Sequence, residues 1–357
     1  MSEDAILVRS FGSIDLNDPF FDSLKSSYKE FVQWFQSKHD ETAYVSYDNQ
    51  NHIQAFLYIK KEDGPVSDII PPLNTPCLKV GTFKIIPHGT KLGERFVKII
   101  TDTTLALGLR VAYVTIFKKH EPLIRILEEY GFKKYGNKTT QNGTEDVYVK
   151  NIGLLTGNRG LDYPIVDCRG KQKWLMSVRP EYHTKLFPDS KLKTERNTFI
   201  QDTSYTNSIH KVYVGCYRDF DLVEPGDCIV IYRCQSPGST DSAWFKSVAT
   251  SLCVVEEKKR AIEFPNEKEF ISYCEKYSVL GSEDLSGFYK RNGAYSIKMT
   301  YNLAFPKRPN MEKMVENMII PSPSKKPSPY YGMYKLSDSG FQKIVELGGV
   351  YEGFVIH

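Results

Sequence analysis

The chain has 357 residues, of which 41% are hydrophobic and 25% are charged, and its formal net charge is +4. This length predicts two domains, the composition is that of a globular protein, and the small net charge does not by itself imply a nucleic-acid ligand. Because the sequence has no run of eighteen apolar residues and begins with the acidic stretch Met1–Asp4, it predicts neither a transmembrane helix nor a secretory signal, and we expect a cytoplasmic protein.

The first 150 residues alternate between strand-like and helix-like patterns. Apolar residues spaced by three and four predict one helix with a single apolar face: Phe21, Leu24, Tyr28, Phe31 and Phe35. A predicted hairpin follows over 43–59. After it come a strand over 78–86, a helix from Glu94 to Leu107, a buried strand over 111–117, a short helix over 121–130 and a strand over 146–150. This alternation predicts an α/β layer with crossover connections.

A boundary is predicted at 151–162, where the chain contains Gly and Asn and lacks periodicity. We therefore expect domains over 1–152 and 163–357. In the second domain short strands dominate, over 173–178, 211–216, 227–233, 244–255 and 294–299, with helices near 267–276 and 339–347 and a Pro-rich loop over 306–329. Several short strands with few helices predict a small, partly open β-barrel. The seven cysteines are scattered without a Cys-x-x-Cys pair, so we expect reduced thiols and no structural zinc.

The segment between the strand over 78–86 and the next helix has the composition of an anion-binding loop. It reads His88-Gly89-Thr90-Lys91-Leu92-Gly93-Glu94. Glycines allow a close backbone approach, and the N–H groups at a helix N-terminus, together with the helix dipole, favour a pyrophosphate. The alternative interpretation is an ordinary strand-to-helix turn.

This loop resembles the acyl-CoA loop of the GNAT acetyltransferase superfamily, written R/Q-x-x-G-x-G/A, with His88 at the first position and Gly93 as the strict match. The stretch 113–132, which ends in Gly131-Phe132, is similar to the family's fifth strand, following helix and terminal Gly-Phe. The resemblance implies a mixed central sheet flanked by helices, acetyl-CoA as cofactor and N-acyltransferase activity. It also implies that the cofactor contacts the loop residues 88–94 and the backbone of Phe83, Ile85 and Ile86.

Besides His88 at the Arg/Gln position and Lys91 at the first Gly position, three features depart from the family pattern. Leu127 stands where the family carries a Tyr as general acid, His120 stands where it carries an Asn, and the preceding strand has lysines where a Glu often acts as base. The remaining catalytic candidates are His88, His120 and Tyr130. For these residues the alternatives are an exposed loop histidine, a helix-start residue and a core or cap residue. Transfer to an amine can also proceed by proximity, with backbone donors polarising the thioester.

The second half of the chain resembles PUA-like domains of the ASCH and EVE type. The resemblance is carried by the strand at 211–216 and by the turn Pro225-Gly226-Asp227 before the strand at 227–233. It implies an α+β PUA-like small β-barrel with a pocket for RNA or a modified base. Stacking rings and edge-directed polar groups suit such a pocket, and the candidates are Trp174, Tyr232, Arg233, Trp244 and Phe245. Core packing is the alternative for each aromatic ring.

The leading hypothesis is an acetyl-CoA-dependent N-acyltransferase whose C-terminal domain recruits an RNA, such as tRNA, or another substrate. One alternative is a non-catalytic acyl-CoA-binding reader of modified nucleic acid. Another is a protein N-acetyltransferase, and a third is a scaffold without CoA affinity.

Overall fold

The computed structural model describes residues 5–192, 199–235, 242–291, 293–322, 332–351 and 353–357. The chain divides into two units, Met1–Tyr163 and Pro164–His357, here called unit 1 and unit 2. None of the helices in the described residues combines the length and the apolar character that crossing a membrane requires.

Unit 1 contains a seven-stranded mixed sheet in the order β1-β2-β3-β4-β5-β7-β6. Its strands are β1 Leu7–Ser10, β2 Thr42–Tyr47, β3 Ile53–Glu62, β4 Cys77–Ile85, β5 Val111–Ile116, β6 Lys133–Thr140 and β7 Gly143–Asn151. Its helices are α1 Asp22–Ser27, α2 Phe31–Ser37, α3 Leu92–Ala106, α4 Glu121–Glu129 and α5 Arg159–Asp162. The pair β4–β5 is parallel while the other neighbouring strands are antiparallel, and α3 is the crossover that a parallel pair needs.

The single helix predicted over residues 21–35 is wrong. The structure has a 3-10 turn at Pro19–Phe21, then α1, then an extended residue, Tyr28, and then α2. The apolar rings still reach one core, because two short helices deliver them to a common aromatic cluster with Phe11 and Phe56. The spacing of the aromatic residues therefore reflects their shared core and not one continuous helix. The sequence prediction also missed β1 and β6, which are short or largely polar.

Gly131 and Lys150 join the end of α4 to α5. Gly131 has φ +83°, and a Cβ there would lie 2.2 Å from the carbonyl oxygen of Leu161. The ammonium of Lys150, buried in this junction, donates to the carbonyl oxygens of Tyr130 at 2.6 Å and Leu161 at 3.1 Å. The Gly-Phe pair is thus explained by packing, since Phe132 enters the core next to a glycine that no larger residue can replace.

We predict that Lys150 makes the stability of the protein rise with pH above neutrality. Burial lowers the pKa of Lys150 to about 8 in the folded protein, against 10.5 for a free lysine. Between these values the unfolded chain binds the extra proton, so raising the pH favours the folded state by up to about 1.4 kcal/mol per pH unit. Urea denaturation at pH 7, 8.5 and 10 measures this slope, with Lys150→Met as the matched protein that lacks it. A stability difference between the two proteins that stays constant over this range would refute the assignment.

Unit 2 contains a six-stranded sheet in the order β10-β13-β12-β11-β9-β14 and a separate parallel pair of β8 and β15. The strands are β8 Val166–Asp167, β9 Lys173–Val178, β10 His210–Gly215, β11 Cys228–Arg233, β12 Val248–Arg260, β13 Tyr295–Ala304, β14 Met333–Leu336 and β15 Val355–Ile356. The helices are α6 Pro180–Leu186, α7 Ser204–Asn207, α8 Ala243–Lys246, α9 Glu267–Glu275, α10 Ser282–Tyr289, α11 Met311–Glu316 and α12 Asp338–Leu347.

Several expectations for this unit need correction. Within the described residues the sheet does not close into a barrel, because β10 and β14 form its two edges and do not pair with each other. The strand expected from Trp244 begins at Val248, and Trp244 and Phe245 lie on α8 instead. The stretch expected as a loop over 306–329 contains α11, and its part beyond 322 lies outside the described residues.

The Pro225-Gly226-Asp227 turn fixes the start of β11 and β9 together. Gly226 takes φ +99°, and the Asp227 carboxylate accepts hydrogen bonds from the backbone N–H groups of Gln172 at 3.0 Å and Glu224 at 2.9 Å and from the indole of Trp174 at 3.0 Å. A buried carboxylate with three donors is well compensated. The motif therefore has a structural role, in which it ties the start of β11 to the start of β9.

Candidate functional site

The parallel strands β4 and β5 separate after a short paired stretch. They pair only at Leu78–Ala112, Lys79–Tyr113 and Val80–Val114. Past that point β4 stays paired with β3 as far as Ile85, and β5 stays paired with β7 as far as Ile116. The sheet is thereby split between its two central strands. We call this opening, between residues 81–85 of β4 and 115–116 of β5, the wedge.

Gly81 initiates the separation. The register with β3 passes from Tyr58–Thr82 to Ile59–Val80, so Gly81 is an extra residue in β4. A Cβ at Gly81 would lie 2.6 Å from Cδ1 of Tyr58, a distance that only glycine permits. Such a bulge bends and twists its strand locally. Gly81 directly follows Val80, the last residue of β4 that pairs with β5, which accounts for the wedge.

The backbone of β4 presents two peptide groups to the wedge. The N–H of Ile86 donates to the carbonyl of Gln54 at 2.8 Å, so this residue pair is a hydrogen-bonded pair of the β3–β4 ladder. Bonding direction alternates along an antiparallel ladder, so the N–H and C=O groups of Phe83 and Ile85 point away from β3. No described strand pairs with them on that side. This exposed edge can receive an extended ligand carrying amide groups.

The loop from β4 into α3 is held by its own side chains. Gly89 and Lys91 have left-handed backbone conformations, with φ +84° and +63°. Nδ1 of His88 lies 2.7 Å from the carbonyl oxygen of Ile86, and Nε2 lies 2.8 Å from Oγ1 of Thr90. Since both ring nitrogens of His88 bond within the loop, its position suits a structural brace better than a catalytic base.

The remaining loop residues divide between core and surface. Leu92 and Glu94 are buried, and the carboxylate of Glu94 lies 3.0 Å from Nζ of the exposed Lys91. Gly93 lies against α4, where a Cβ would stand 3.0 Å from Cδ1 of Ile126. A side chain at position 93 would therefore press against the side chain of Ile126 in α4. A bulky substitution there would test the fold and not the ligand.

The segment over residues 20–28, here called the bridging segment, crosses the end of the wedge. Nζ of Lys84 in β4 contacts the carbonyl of Phe20 and lies 2.7 Å from Oγ of Ser23. Nζ of Lys119, just after β5, lies 3.1 Å from Oγ of Ser27. The hydroxyl of Tyr28 donates to Glu145 of β7 at 2.7 Å. The segment thus contacts both sides of the opening.

Polar groups at this end of the wedge have shifted pKa values. Burial, the adjacent Lys119 and the nearby Lys84 lower the pKa of His120, while Glu145 opposes the shift. Burial also lowers the pKa of Lys84. Burial and the bond to Glu145 raise the pKa of Tyr28, so its phenol stays protonated. His120 is therefore a neutral imidazole at neutral pH, in the form that accepts a proton.

Tyr28, Lys119 and Glu145 were not among the predicted site residues. Glu145 lies in a strand whose partner β6 is polar, so no periodicity distinguishes it. Tyr28 was assigned to the apolar face of a helix that does not exist as one piece. Only the three-dimensional meeting of β5, β7 and the bridging segment identifies them.

Tyr130 does not belong to this site. It is buried at the C-terminal end of α4, where its ring packs edge-on against Tyr163 at 5.5 Å. His120 precedes the other end of that nine-residue helix, about 15 Å away at 1.5 Å per residue. Leu127 is fully buried in the core.

The predicted base-reading residues of unit 2 mostly lie inside it. Trp174 and Tyr232 are each 1% exposed, and the indole of Trp174 is bound to Asp227, so neither ring is available for stacking. Arg233 is buried as well. Trp244 is half-buried, and Phe245 beside it is 56% exposed. The two rings on α8 are the members of the predicted set that reach the surface.

No family model matches this sequence, and no curated protein matches it either. Among solved structures, ASCH from Zymomonas mobilis is 14% identical, covering 49% of this chain and 94% of its own, with a TM-score of 0.33. A GNAT family acetyltransferase from Elizabethkingia anophelis with acetyl-CoA bound is 10% identical, covering 42% and 100%, with a TM-score of 0.30. Arabidopsis thaliana NAA60 in complex with a bisubstrate analogue is 14% identical, covering 40% and 95%, with a TM-score of 0.28. These values are too low for the similarities to bear on the activity of this chain.

We predict that close packing is what requires glycine at position 81, whereas at position 89 the requirement comes from the backbone conformation alone. Gly81→Ala forces a methyl group onto Tyr58 and is expected to cost about 2 kcal/mol of unfolding free energy. Gly89→Ala meets nothing within 4 Å and is expected to cost about 1 kcal/mol, for its left-handed φ. Urea denaturation followed by circular dichroism measures both values. If Gly81→Ala proves no more costly than Gly89→Ala, the bulge is not the fixed point described here.

Proposed function

We propose that unit 1 binds acetyl-CoA in the wedge and transfers its acetyl group to an amine. The observation that carries this proposal is the outward-facing edge of β4 at Phe83 and Ile85, left without a strand partner where β5 departs. The pantetheine arm of CoA is an extended chain with two amides, so it can add to this edge as a further strand would.

The loop after β4 supports the same assignment at the other end of the cofactor. The chain turns through left-handed Gly89 and Lys91 into the fifteen-residue helix α3. Its first N–H groups and its dipole favour the pyrophosphate. Glu94 in that first turn would repel an anion, but its ion pair with Lys91 offsets the charge.

The chemistry follows from the groups at the bridging segment. The amine nitrogen bonds to the thioester carbonyl carbon, the carbon–sulfur bond breaks, and the electron pair leaves on the CoA sulfur. The amine must lose a proton, and His120 is a neutral base on the β5 side of the opening. The imidazolium so formed can then return that proton to the thiolate, which fits the absence of a tyrosine acid at Leu127.

Binding of the cofactor is tested by calorimetric titration with acetyl-CoA and with CoA. Ile85→Pro removes the N–H that faces the wedge and leaves the bonds to β3 in place, so we expect affinity to fall about tenfold, the value of one hydrogen bond. Ile85→Ala is the matched control, because it shortens the same side chain and keeps the N–H.

Equal affinities for these two variants would show that the β4 edge does not hold the cofactor. If wild-type protein binds neither acetyl-CoA nor CoA, the proposal fails as a whole. Circular dichroism establishes that both variants remain folded.

We predict that activity depends on unprotonated His120. The value of kcat/KM should fall as the pH drops through the pKa of His120, which lies below the ordinary 6.5. His120→Ala should lower kcat at pH 7.5 about a hundredfold and leave CoA affinity unchanged, while His39→Ala, an exposed histidine elsewhere in unit 1, should change neither. An unaltered acid limb in His120→Ala would assign the base to another group.

Recruitment of RNA by unit 2 remains a prediction, and a protein amine is the other acceptor class. Phe245 and Trp244, followed by Lys246 on α8, form the surface that suits stacking with an adjacent cation. Acceptors to screen are therefore aminoacylated tRNA and peptides with a free N-terminus. Loss of tRNA affinity in Phe245→Ala would support the first class. Cofactor binding without turnover on either class would favour a non-catalytic reader.

A further inference from the structure

In unit 2 a buried polar cluster surrounds a bulge in β12. The register with β11 passes from Ile231–Ser251 to Tyr232–Ala249, so Thr250 is an extra residue in β12. Its hydroxyl donates to the carbonyl of Ile231 at 3.2 Å and lies 2.8 Å from Nε2 of His183 on α6. Its carbonyl accepts from the N–H of Phe305 at 2.9 Å and from the hydroxyl of Ser190 at 3.2 Å.

His183 keeps an acceptor that no described residue uses. The ring is fully buried, and because the Thr250 hydroxyl donates to Ile231, Nε2 of His183 carries the proton of their hydrogen bond. Nδ1 is then a lone-pair acceptor, and among the described residues it has no partner. Burial lowers the pKa of His183, and the guanidinium groups of Arg233 and Arg308 lower it further. The imidazole is therefore neutral.

Arg308, a half-buried residue whose Nε and Nη1 are shielded from solvent, brings a positive charge to the same cluster. The next residue, Pro309, accepts a hydrogen bond from the N–H of Ala249 at 2.9 Å, which places Arg308 beside the bulge. Nη2 lies 3.5 Å from the carbonyl oxygen of Asp189. Nε and Nη1 are buried and have no partner in the described part of the chain. Burial lowers the pKa of the guanidinium, and Tyr301 and the nearby Asp189 oppose that shift.

The hydroxyl groups around Thr250 form hydrogen bonds with one another. The hydroxyl of Ser190 lies 2.7 Å from that of Ser251 and 2.9 Å from that of Tyr301. In contrast Thr184 Oγ1, next to His183, is buried without a partner in the described residues. Unmet buried donors cost about 1–3 kcal/mol each, and more for charged groups, so a cluster that retains several indicates a ligand site.

We propose that this cluster binds a small molecule that places an oxyanion, carboxylate or phosphate, on the free guanidinium N–H groups of Arg308 and a hydrogen-bond donor on Nδ1 of His183. A guanidinium is the side chain best suited to such oxyanions. The hydrogen bonds of Ser190 to Ser251 and Tyr301 fix the neighbouring hydroxyl groups. This site lies wholly within unit 2 and does not depend on the acetyl-transfer proposal for unit 1.

The test is thermal unfolding of the full chain with potassium phosphate or potassium acetate, each compared with potassium chloride at equal ionic strength. We expect one of the two anions to raise Tm by about 2–4 °C when its concentration exceeds the Kd tenfold. Arg308→Met should abolish that rise. In chloride alone Arg308→Met should unfold at the same temperature as wild type or higher, because the substitution removes a charged group whose buried Nε and Nη1 lack hydrogen-bond partners among the described residues. The anion that acts identifies the oxyanion class.

A second measurement follows the guanidinium directly. In protein labelled with 15N at arginine Nε, the signal missing from Arg308→Lys identifies Arg308, and the active anion should shift that signal and slow its exchange with water. An equal Tm rise in wild type and Arg308→Met would overturn the proposal. So would an Arg308→Met protein that is less stable in chloride while neither anion affects wild type, since Arg308 would then be a structural residue solvated by water.

Discussion

The close approach of Gly81 to Tyr58 is the constraint on which the architecture of unit 1 depends. At that residue β4 acquires an extra position, bends, and stops pairing with β5. A continuous parallel ladder would occupy the peptide groups of Phe83 and Ile85, and the centre of the sheet would be closed. The bulge leaves that edge exposed to a ligand while each flanking strand remains fully paired on its other side.

The charges at the end of the wedge follow from the same separation. Lys84 and Lys119 lie on opposite sides of it, and both bond to the bridging segment. Their positive charge, together with burial, keeps His120 neutral. In the proposed acetyl transfer, this positive charge would favour the deprotonated form of an amine nucleophile, and His120 would accept its proton. Unit 2 also contains a bulge, at Thr250 of β12. The hydroxyl of Thr250 contacts His183, and its carbonyl accepts a hydrogen bond from Ser190.

The sequence predicted the elements that carry unit 1 where pattern and chemistry agree. Leu92–Ala106 and Val111–Ile116 were found close to their true limits, because a glycine-containing loop opens the helix and an unbroken apolar run marks a buried strand. Prediction failed where one signal has two physical causes. The aromatic spacing at 21–35 came from two short helices, and Gly93 packs closely against Ile126 of α4. Trp174 is tied to Asp227, so its burial reflects a clamp that composition alone cannot distinguish from a stacking ring. Glu145 and Arg308 could not be predicted as site residues, because the residues that they contact are distant in sequence.

The proposed binding of acetyl-CoA depends on the edge of β4 at Phe83 and Ile85. Residue-resolved amide hydrogen exchange of the full chain, with and without CoA, tests it most directly. We expect CoA to slow exchange at Phe83 and Ile85 and to leave exchange at Lys84, whose N–H faces β3, unchanged. Slowing at Lys84 alone, or no change at any of the three while CoA binds, would contradict it and place the cofactor elsewhere.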